Sequence, residues 1–363
     1  MRIGFACKFV DTPFANYSRL NFKSTTARHL STLKPEVARE KLRSICLHNL
    51  SCLHLAAEVI GLWPATLRMF RMSGDLFPLF THEVCHRYYS RELYPELREQ
   101  LSVIGDKFRA AGIRVSFHPG QFTLLGTLKE EVVTASVLEL EYHTQLLLDM
   151  GYSGWHDHGC AINIHGGSKS AGLGRVRQNL TRLTPECRDF LTFENDEFSF
   201  GMKQLVEEIG DEVAILPDLH HEWIFSGDYL PQDSSLLAAV EQSWRGVRPK
   251  MHCACSPVEH YDPQGTTINR RGLEPLETVK AVQERTGATK AMLRQHADLI
   301  WHSGVEDYYG GFLERFDIMI EAKLKHAASE RMAYNLGLLE PWDTAESDQA
   351  LREKWKGVLQ QQS

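Results

Sequence analysis

Residues 160–167 read CAINIHGG, a short run in which apolar side chains alternate with Asn163 and His165 before two glycines end it. Alternation with period two marks a strand, and residues of equal parity share a face, so Asn163 and His165 point the same way. A stretch of helical period, Lys129 to Met150, precedes this strand, and another strand, Phe190 to Glu194, follows it. The same unit recurs along the chain. Candidate strands run from Arg2 to Cys7, Thr66 to Ser73, Ile113 to His118, Cys160 to His165, Phe190 to Glu194, Val213 to Asp218, Pro249 to Cys255 and Phe316 to Glu321. Helical segments between them include Pro35 to Ile60, Glu92 to Ala111, Met202 to Ile209, Leu236 to Trp244 and Leu276 to Glu284. Short Val-, Ile- and Phe-rich runs joined by longer helical stretches indicate parallel strands with crossover helices. Eight such units favour a closed barrel over an open sheet. The expected fold is therefore α/β, a TIM-type (β/α)8 barrel, with an additional N-terminal helical segment. Pro35 to Ile60 is longer than one barrel helix needs and reads as an extra helix or a helical hairpin.

At 363 residues, 43% of them apolar, the chain can bury a large core, and a single barrel takes about 250 residues. One domain over residues 1–330 and a C-terminal tail over 331–363, ending in QQQS, are expected. The net charge of -7 argues against gripping nucleic acid through overall positive charge, so any DNA contact must be local. The opening MRIGFACKFVDT lacks a signal-peptide core, and no run of about 18 consecutive apolar residues occurs, so a cytoplasmic protein with no membrane partner is expected. Of the eight cysteines, the closest pair, Cys253 and Cys255, is spaced CxC; neither a zinc ribbon nor a disulfide framework is indicated. Ser256 to Gly272, rich in Pro, Gly and polar residues, reads as a long functional loop.

Most candidate strands end in an ionisable residue: His118, His165, Glu194, Asp218 and Glu321. Barrel enzymes build their sites at those ends. By parity Ser116 joins His118, Asn163 joins His165, Thr192 joins Glu194 and Lys250 joins His252, so the face that reaches the mouth is polar in each case. Such a mouth is costly unless its charges are paired or coordinate metal. Imidazoles mixed with carboxylates suit Zn, Mn or Fe, and carboxylates able to bridge suit a multi-metal site for phosphoryl-oxygen chemistry. A lone histidine at a strand end is usually structural; six or more such residues arriving at one rim reverse that judgement. In LPDLHH, Asp218 and His221 give a D-x-x-H spacing that favours His221 over His220. His82, His86, His143, His156 and His158 read as surface or packing residues.

The ordered motifs HPGQF at 118, NIHGG at 163, ENDE at 194, DLHH at 218, KMHCACSP at 250, HADLI at 296 and MIEAKLK at 319 resemble the UV damage endonuclease family, over Arg2 to Lys325. A more distant likeness in fold and ligand types runs to endonuclease IV and to xylose isomerase-like barrels. The resemblance implies up to three divalent metal ions, manganese first and zinc, magnesium or cobalt as alternatives, held by His118, His165, Glu194, Asp218, His221, His252, His296 and Glu321. It also implies that Lys250 is carboxylated on its amine; an unmodified lysine paired with a carboxylate is the other reading. Glu194, Lys250 and Glu321 are the expected catalytic residues. Three carboxylates and a carboxylated Lys250 would carry four negative charges against six positive, leaving a mouth that attracts phosphate. Arg175, Arg177, Arg245, Arg248, Arg270 and Arg271 are either phosphate contacts or solvated surface charges.

The implied reaction is metal-dependent hydrolysis of damaged double-stranded DNA on the 5′ side of cyclobutane dimers and 6-4 photoproducts, by a monomer. Gln121 and Phe122 are the implied lesion probes, where the family commonly has tyrosine at the second position. Phe122 would keep wedging and stacking without a hydroxyl contact, or else cap the core. An abasic-site endonuclease and a sugar isomerase or epimerase are the rival readings.

Overall fold

The computed structural model describes residues 1–12, 16–89, 93–260 and 276–339. Eight strands form one parallel sheet: β1 (Ile3–Ala6), β2 (Met69–Met72), β3 (Arg114–Phe117), β4 (Ala161–His165), β5 (Leu191–Glu194), β6 (Ala214–Leu216), β7 (Lys250–Cys253) and β8 (Asp317–Ile320). Their order is β6-β5-β4-β3-β2-β1-β8-β7. The two outer strands meet through one parallel bridge, Asp218 with His252, and through the His252 amide donating to the Pro217 carbonyl at 2.9 Å. That contact all but closes the TIM-type barrel. All eight expected strands are present, each trimmed by a residue or more at one or both ends.

Parity divides every strand. Ile3, Phe5, Phe70, Val115, Phe117, Ile162, Ile164, Phe193, Ile215, Ile318 and Ile320 join the large core between barrel and helices. Ala6, Met69 and Met319 form a small separate apolar cluster. At the strand starts, buried Asp317 takes ion pairs from Arg114 at 3.0 Å, Arg248 at 2.9 Å and Arg2 at 3.2 Å. This charged plug lies at the end opposite the mouth, so the wall residues above it belong to the site.

The N-terminal addition is one continuous helix, Pro35–Leu62, not a hairpin, preceded by a 3-10 turn at Tyr17–Leu20 and a short α-helix at Ala27–Ser31. It is long and apolar enough to cross a membrane by length and composition alone, but 61% of its apolar window is buried in the fold. It packs against the helix Leu93–Ala110. Helices at Glu130–Asp149, Leu173–Leu180, Met202–Ile209, Leu219–Ser226, Ser235–Ser243, Ser303–Gly310 and Lys325–Asn335 continue the outer layer. The last packs on β1, where the Ser329 hydroxyl donates to the Gly4 carbonyl at 2.7 Å. None of the eight cysteines is in a disulfide.

Candidate metal centre

The loop after β3 begins with His118 and is anchored along its length. The Leu124 amide donates to Ser136 Oγ at 2.8 Å, and Asn179 Nδ2 donates to the Leu125 carbonyl at 2.8 Å. It meets the loop after β4 where the Ser168 amide donates to the Gly126 carbonyl at 2.7 Å. Gly167 has φ +98° there, and a Cβ at that position would run into the Gly126 backbone. The second glycine of NIHGG thus permits the close approach that seats His118 beside His165, their ring centroids 5.4 Å apart.

Glu194, at the end of β5 and 1% exposed, is the hub. One oxygen faces His252 Nδ1 at 3.0 Å and His221 Nδ1 at 3.7 Å; the other faces His118 Nε2 at 3.4 Å and accepts from Asn163. Asn163 is itself fixed by the Thr192 hydroxyl at 3.0 Å. Glu321, after β8, lies 3.4 Å from His252 Nδ1 and 3.8 Å from His296 Nδ1. His296 arrives from a distant segment pinned at the mouth by the Ala297 amide on the Cys255 carbonyl and the Lys323 amide on the Ala297 carbonyl. Asp218 caps the helix Leu219–Ser226 by accepting from the His221 amide at 2.8 Å. The cap leaves Asp218 Oδ2 3.6 Å from His221 Nδ1. His220 turns away, bonded to the Leu293 carbonyl at 3.1 Å and stacked on Trp223.

Three overlapping donor groups result: His118, His165 and Glu194; Glu194, Asp218 and His221; Asp218, His252 and Glu321. Within each, one ligand atom per residue lies within 4.8 Å of the others. Buried polar atoms without a hydrogen-bond partner among the described residues include His165 Nδ1, Asp218 Oδ2, His252 Nε2 and Lys250 Nζ. Orphaned donors and acceptors at one mouth are costly unless something else satisfies them, and divalent cations fit this donor set. The rings also carry the hydrogen bonds expected behind metal ligands: His118 Nδ1 to the Pro119 carbonyl at 2.9 Å, and His221 Nδ1 to the Asn195 carbonyl at 3.1 Å.

The electrostatics are those of a tightly coupled cluster. Burial pushes the Glu194 carboxyl up, but His252, His165 and His118 outweigh it and hold it well below the usual range. Burial raises Asp218, against the pull of His221. Burial would lower His221, yet Asp218, Glu194 and Glu197 push it up to about 9. Burial, with Arg114 and Arg71 nearby, drives the Lys250 amine well below its ordinary value. The side chain of Lys250 is thus buried among site residues with its amine biased toward the neutral form, and among the described residues no carboxylate bonds to it.

Two participants were not legible from strand ends. Arg71, on β2, pairs with Glu321. Its parity with Met69 could have placed it inside the barrel, but an arginine in mid-strand carries no motif. Glu197, the last residue of ENDE, faces His221 Nε2 at 3.7 Å and pairs with Arg294. Gln121 and Phe122 stand out at the rim; Phe122 is 78% exposed and does not cap the core. The arginines proposed as phosphate contacts are largely engaged elsewhere. Arg248 belongs to the Asp317 plug, Arg177 pairs with Asp211 and Glu212, Arg175 faces Glu130, and Arg245 lies over Trp155. Arg270 and Arg271, with most of the Ser256–Gly272 loop, lie outside the described residues.

A parallel barrel whose mouth gathers histidines and carboxylates from six strand ends defines the class of TIM-barrel proteins with a donor set able to hold metal ions. Within that class the chain belongs to the UvdE family of UV endonucleases, whose family model matches residues 1–344. It is 32% identical over 202 residues to the UV-damage endonuclease of Neurospora crassa, covering 51% of this chain but 30% of that protein. It is 29% identical over 233 residues to the UV DNA damage endonuclease of a Nostoc species, covering 62% and 69%. With the UV DNA damage endonuclease of Bacillus velezensis the identity is 26% over 333 residues, covering 87% and 89%. The crystal structure of SacUVDE shares the fold with a TM-score of 0.67, at 24% identity over 93% of this chain and 98% of that one.

Proposed function

We propose that the chain is a metal-dependent DNA repair endonuclease that hydrolyses the backbone on the 5′ side of cyclobutane dimers and 6-4 photoproducts. The observation that carries this reading is the overlap of the three donor groups, in which Glu194 belongs to two and Asp218 to two. Shared carboxylates are the means by which a protein holds neighbouring cations a few ångströms apart, the arrangement suited to phosphoryl-oxygen chemistry. His118, His165, Glu194, Asp218, His221, His252, His296 and Glu321 would hold up to three divalent ions, manganese foremost. Such ions supply Lewis-acid stabilisation of the phosphate oxygens and a bound water of lowered pKa.

The side chains have their own tasks. Glu194 stays ionised and would serve as a donor shared by two of the groups. Arg71 holds Glu321 in place and balances its charge. Burial favours the neutral, nucleophilic form of the Lys250 amine, the form that can be carboxylated to add a further oxygen donor. Gln121 and Phe122, on an anchored loop, enter the space left by unstacked nucleotides; distorted steps cost less to open than sound duplex, which favours lesions.

The decisive experiment is incision of an end-labelled duplex carrying one cyclobutane dimer, with manganese, with chelator, and beside undamaged and abasic duplexes. Manganese-dependent cutting 5′ to the dimer is expected. Cutting confined to the abasic duplex, or no cutting, would overturn the reading.

A further inference from the structure

The rim carries a second aromatic that the Gln121–Phe122 reading leaves without a task. Phe198 follows β5 by four residues and is 57% exposed. Single exposed apolar side chains are common, so exposure alone means little; three features around this one mean more. Its turn is built: Asp196 Oδ1 accepts from the Phe198 amide at 2.8 Å and from the Ser199 amide, and the Asp196 amide donates to the carbonyl of buried Phe200 at 3.0 Å. The ring is also backed, with the Arg294 guanidinium carbon 4.1 Å from its centroid. That guanidinium is fixed by Glu197, whose side chain is 8% exposed and faces His221 Nε2 at 3.7 Å. The ring therefore stands two side chains from the candidate metal centre, covered on one side by a fixed cation and open on the other.

From this geometry we propose that Phe198, backed by Arg294, is a stacking platform for an unpaired base of the damaged duplex, separate from the Gln121–Phe122 pair. The inference rests on the reading of the chain as a nuclease for damaged DNA. Aromatic side chains stack bases without reading their identity, and a guanidinium on the far face strengthens the ring's hold in place. Because Glu197 already compensates Arg294, the contact contributes shape and π surface rather than net charge. Phe122 stands on the loop after β3 and Phe198 on the loop after β5, so the two rings are carried by different loops of the rim.

The test is single-turnover incision of a duplex with one cyclobutane thymine dimer, in manganese, as a function of enzyme concentration, with intact duplex as competitor. Phe198→Ala is expected to raise the half-saturating enzyme concentration about tenfold, a loss at the low end for one stacked base. The maximal rate should hold within about twofold. Phe198→Trp should restore the half-saturation and Phe198→Leu, which keeps bulk without a π face, should not. Half-saturation unchanged in Phe198→Ala, equal weakening on intact duplex, or full function in Phe198→Leu overturns the platform alone. A wild-type chain that neither prefers nor cuts the dimer duplex overturns the nuclease reading, and the platform with it.

Discussion

Glu194 is a carboxylate that the fold desolvates and the site keeps charged. Burial alone would protonate it, and the imidazoles around it reverse that. Glu194→Gln keeps the shape and an oxygen for Asn163 but removes the bridging charge. It should lower incision of dimer duplex by more than about 100-fold, exceeding the cost of losing a mere partner of a metal ligand. A single-turnover rate within tenfold of wild type would remove Glu194 from the centre. Lys250 presents the converse case: a buried amine with no hydrogen-bond partner among the described residues is a liability for stability. Lys250→Met should leave the melting temperature unchanged or slightly higher while incision falls at least about tenfold; a large thermal loss with intact activity would mark a purely structural lysine. His326 bears on pH. It sits among Phe5, Phe9, Tyr17 and Trp63, neither ring nitrogen has a hydrogen-bond partner among the described residues, and burial lowers it to about 4. The unfolded chain, with an ordinary imidazole near 6.5, binds the proton first. Stability from this site is therefore complete above about pH 6.5 and is lost as pH falls toward 4, by about 2 to 3 kcal/mol. His326→Phe should flatten that acid limb in urea unfolding followed from pH 7 to 4.5, and an identical slope in both proteins would show that His326 does not report it.

Strands were the legible elements because parallel barrel strands are buried on both sides and end in ionisable residues, giving each a pattern and a terminus. Phe190 to Glu194 and Cys160 to His165 were readable for that reason. The helix Leu219–Ser226 was not, since its sequence LHHEWIFS has no polar face to set a period and its N-cap, Asp218, doubles as a site residue. The Pro35–Leu62 helix was legible in length but not in shape, because nothing in a continuous helical pattern says whether it turns back. His221 could be favoured by spacing, whereas what His220 does depends on the Leu293 carbonyl, more than 70 positions away. Arg71 and Glu197 escaped because tertiary partners alone give them a role. Helix packing behind the site yields its own prediction. Gly105, within Leu93–Ala110, lies so close to the Met150 backbone that a Cβ would overlap it. Gly105→Ala should destabilise by about 2 kcal/mol or more despite alanine's better helix propensity, because a backbone must move to admit the methyl. Urea unfolding checks this, and a variant as stable as wild type would mean that the two helices can part freely.

On the scale of the whole molecule, the barrel is stitched least where its chemistry is densest. The β6 to β7 seam rests on one bridge and one backbone hydrogen bond, and both fall on Asp218, Pro217 and His252. The donor groups draw on the ends of β3, β4, β5, β6, β7 and β8, so a cation shared by Asp218, His252 and Glu321 would tie that seam from both sides. Binding that exists only in the folded chain adds about 2.7 kcal/mol per site at a hundredfold excess over Kd. At roughly 1.3 degrees per kcal/mol for a chain of this length, manganese should raise the melting temperature by about 3 to 4 °C per filled site and chelator should reverse it. The stabilisation should shrink markedly in Glu194→Gln and Asp218→Asn, since each of these carboxylates serves two donor groups. Scanning calorimetry with manganese and with chelator separates the cases. An increment that survives both substitutions would place the stabilising ion elsewhere and would leave the mouth as a polar cluster with another purpose.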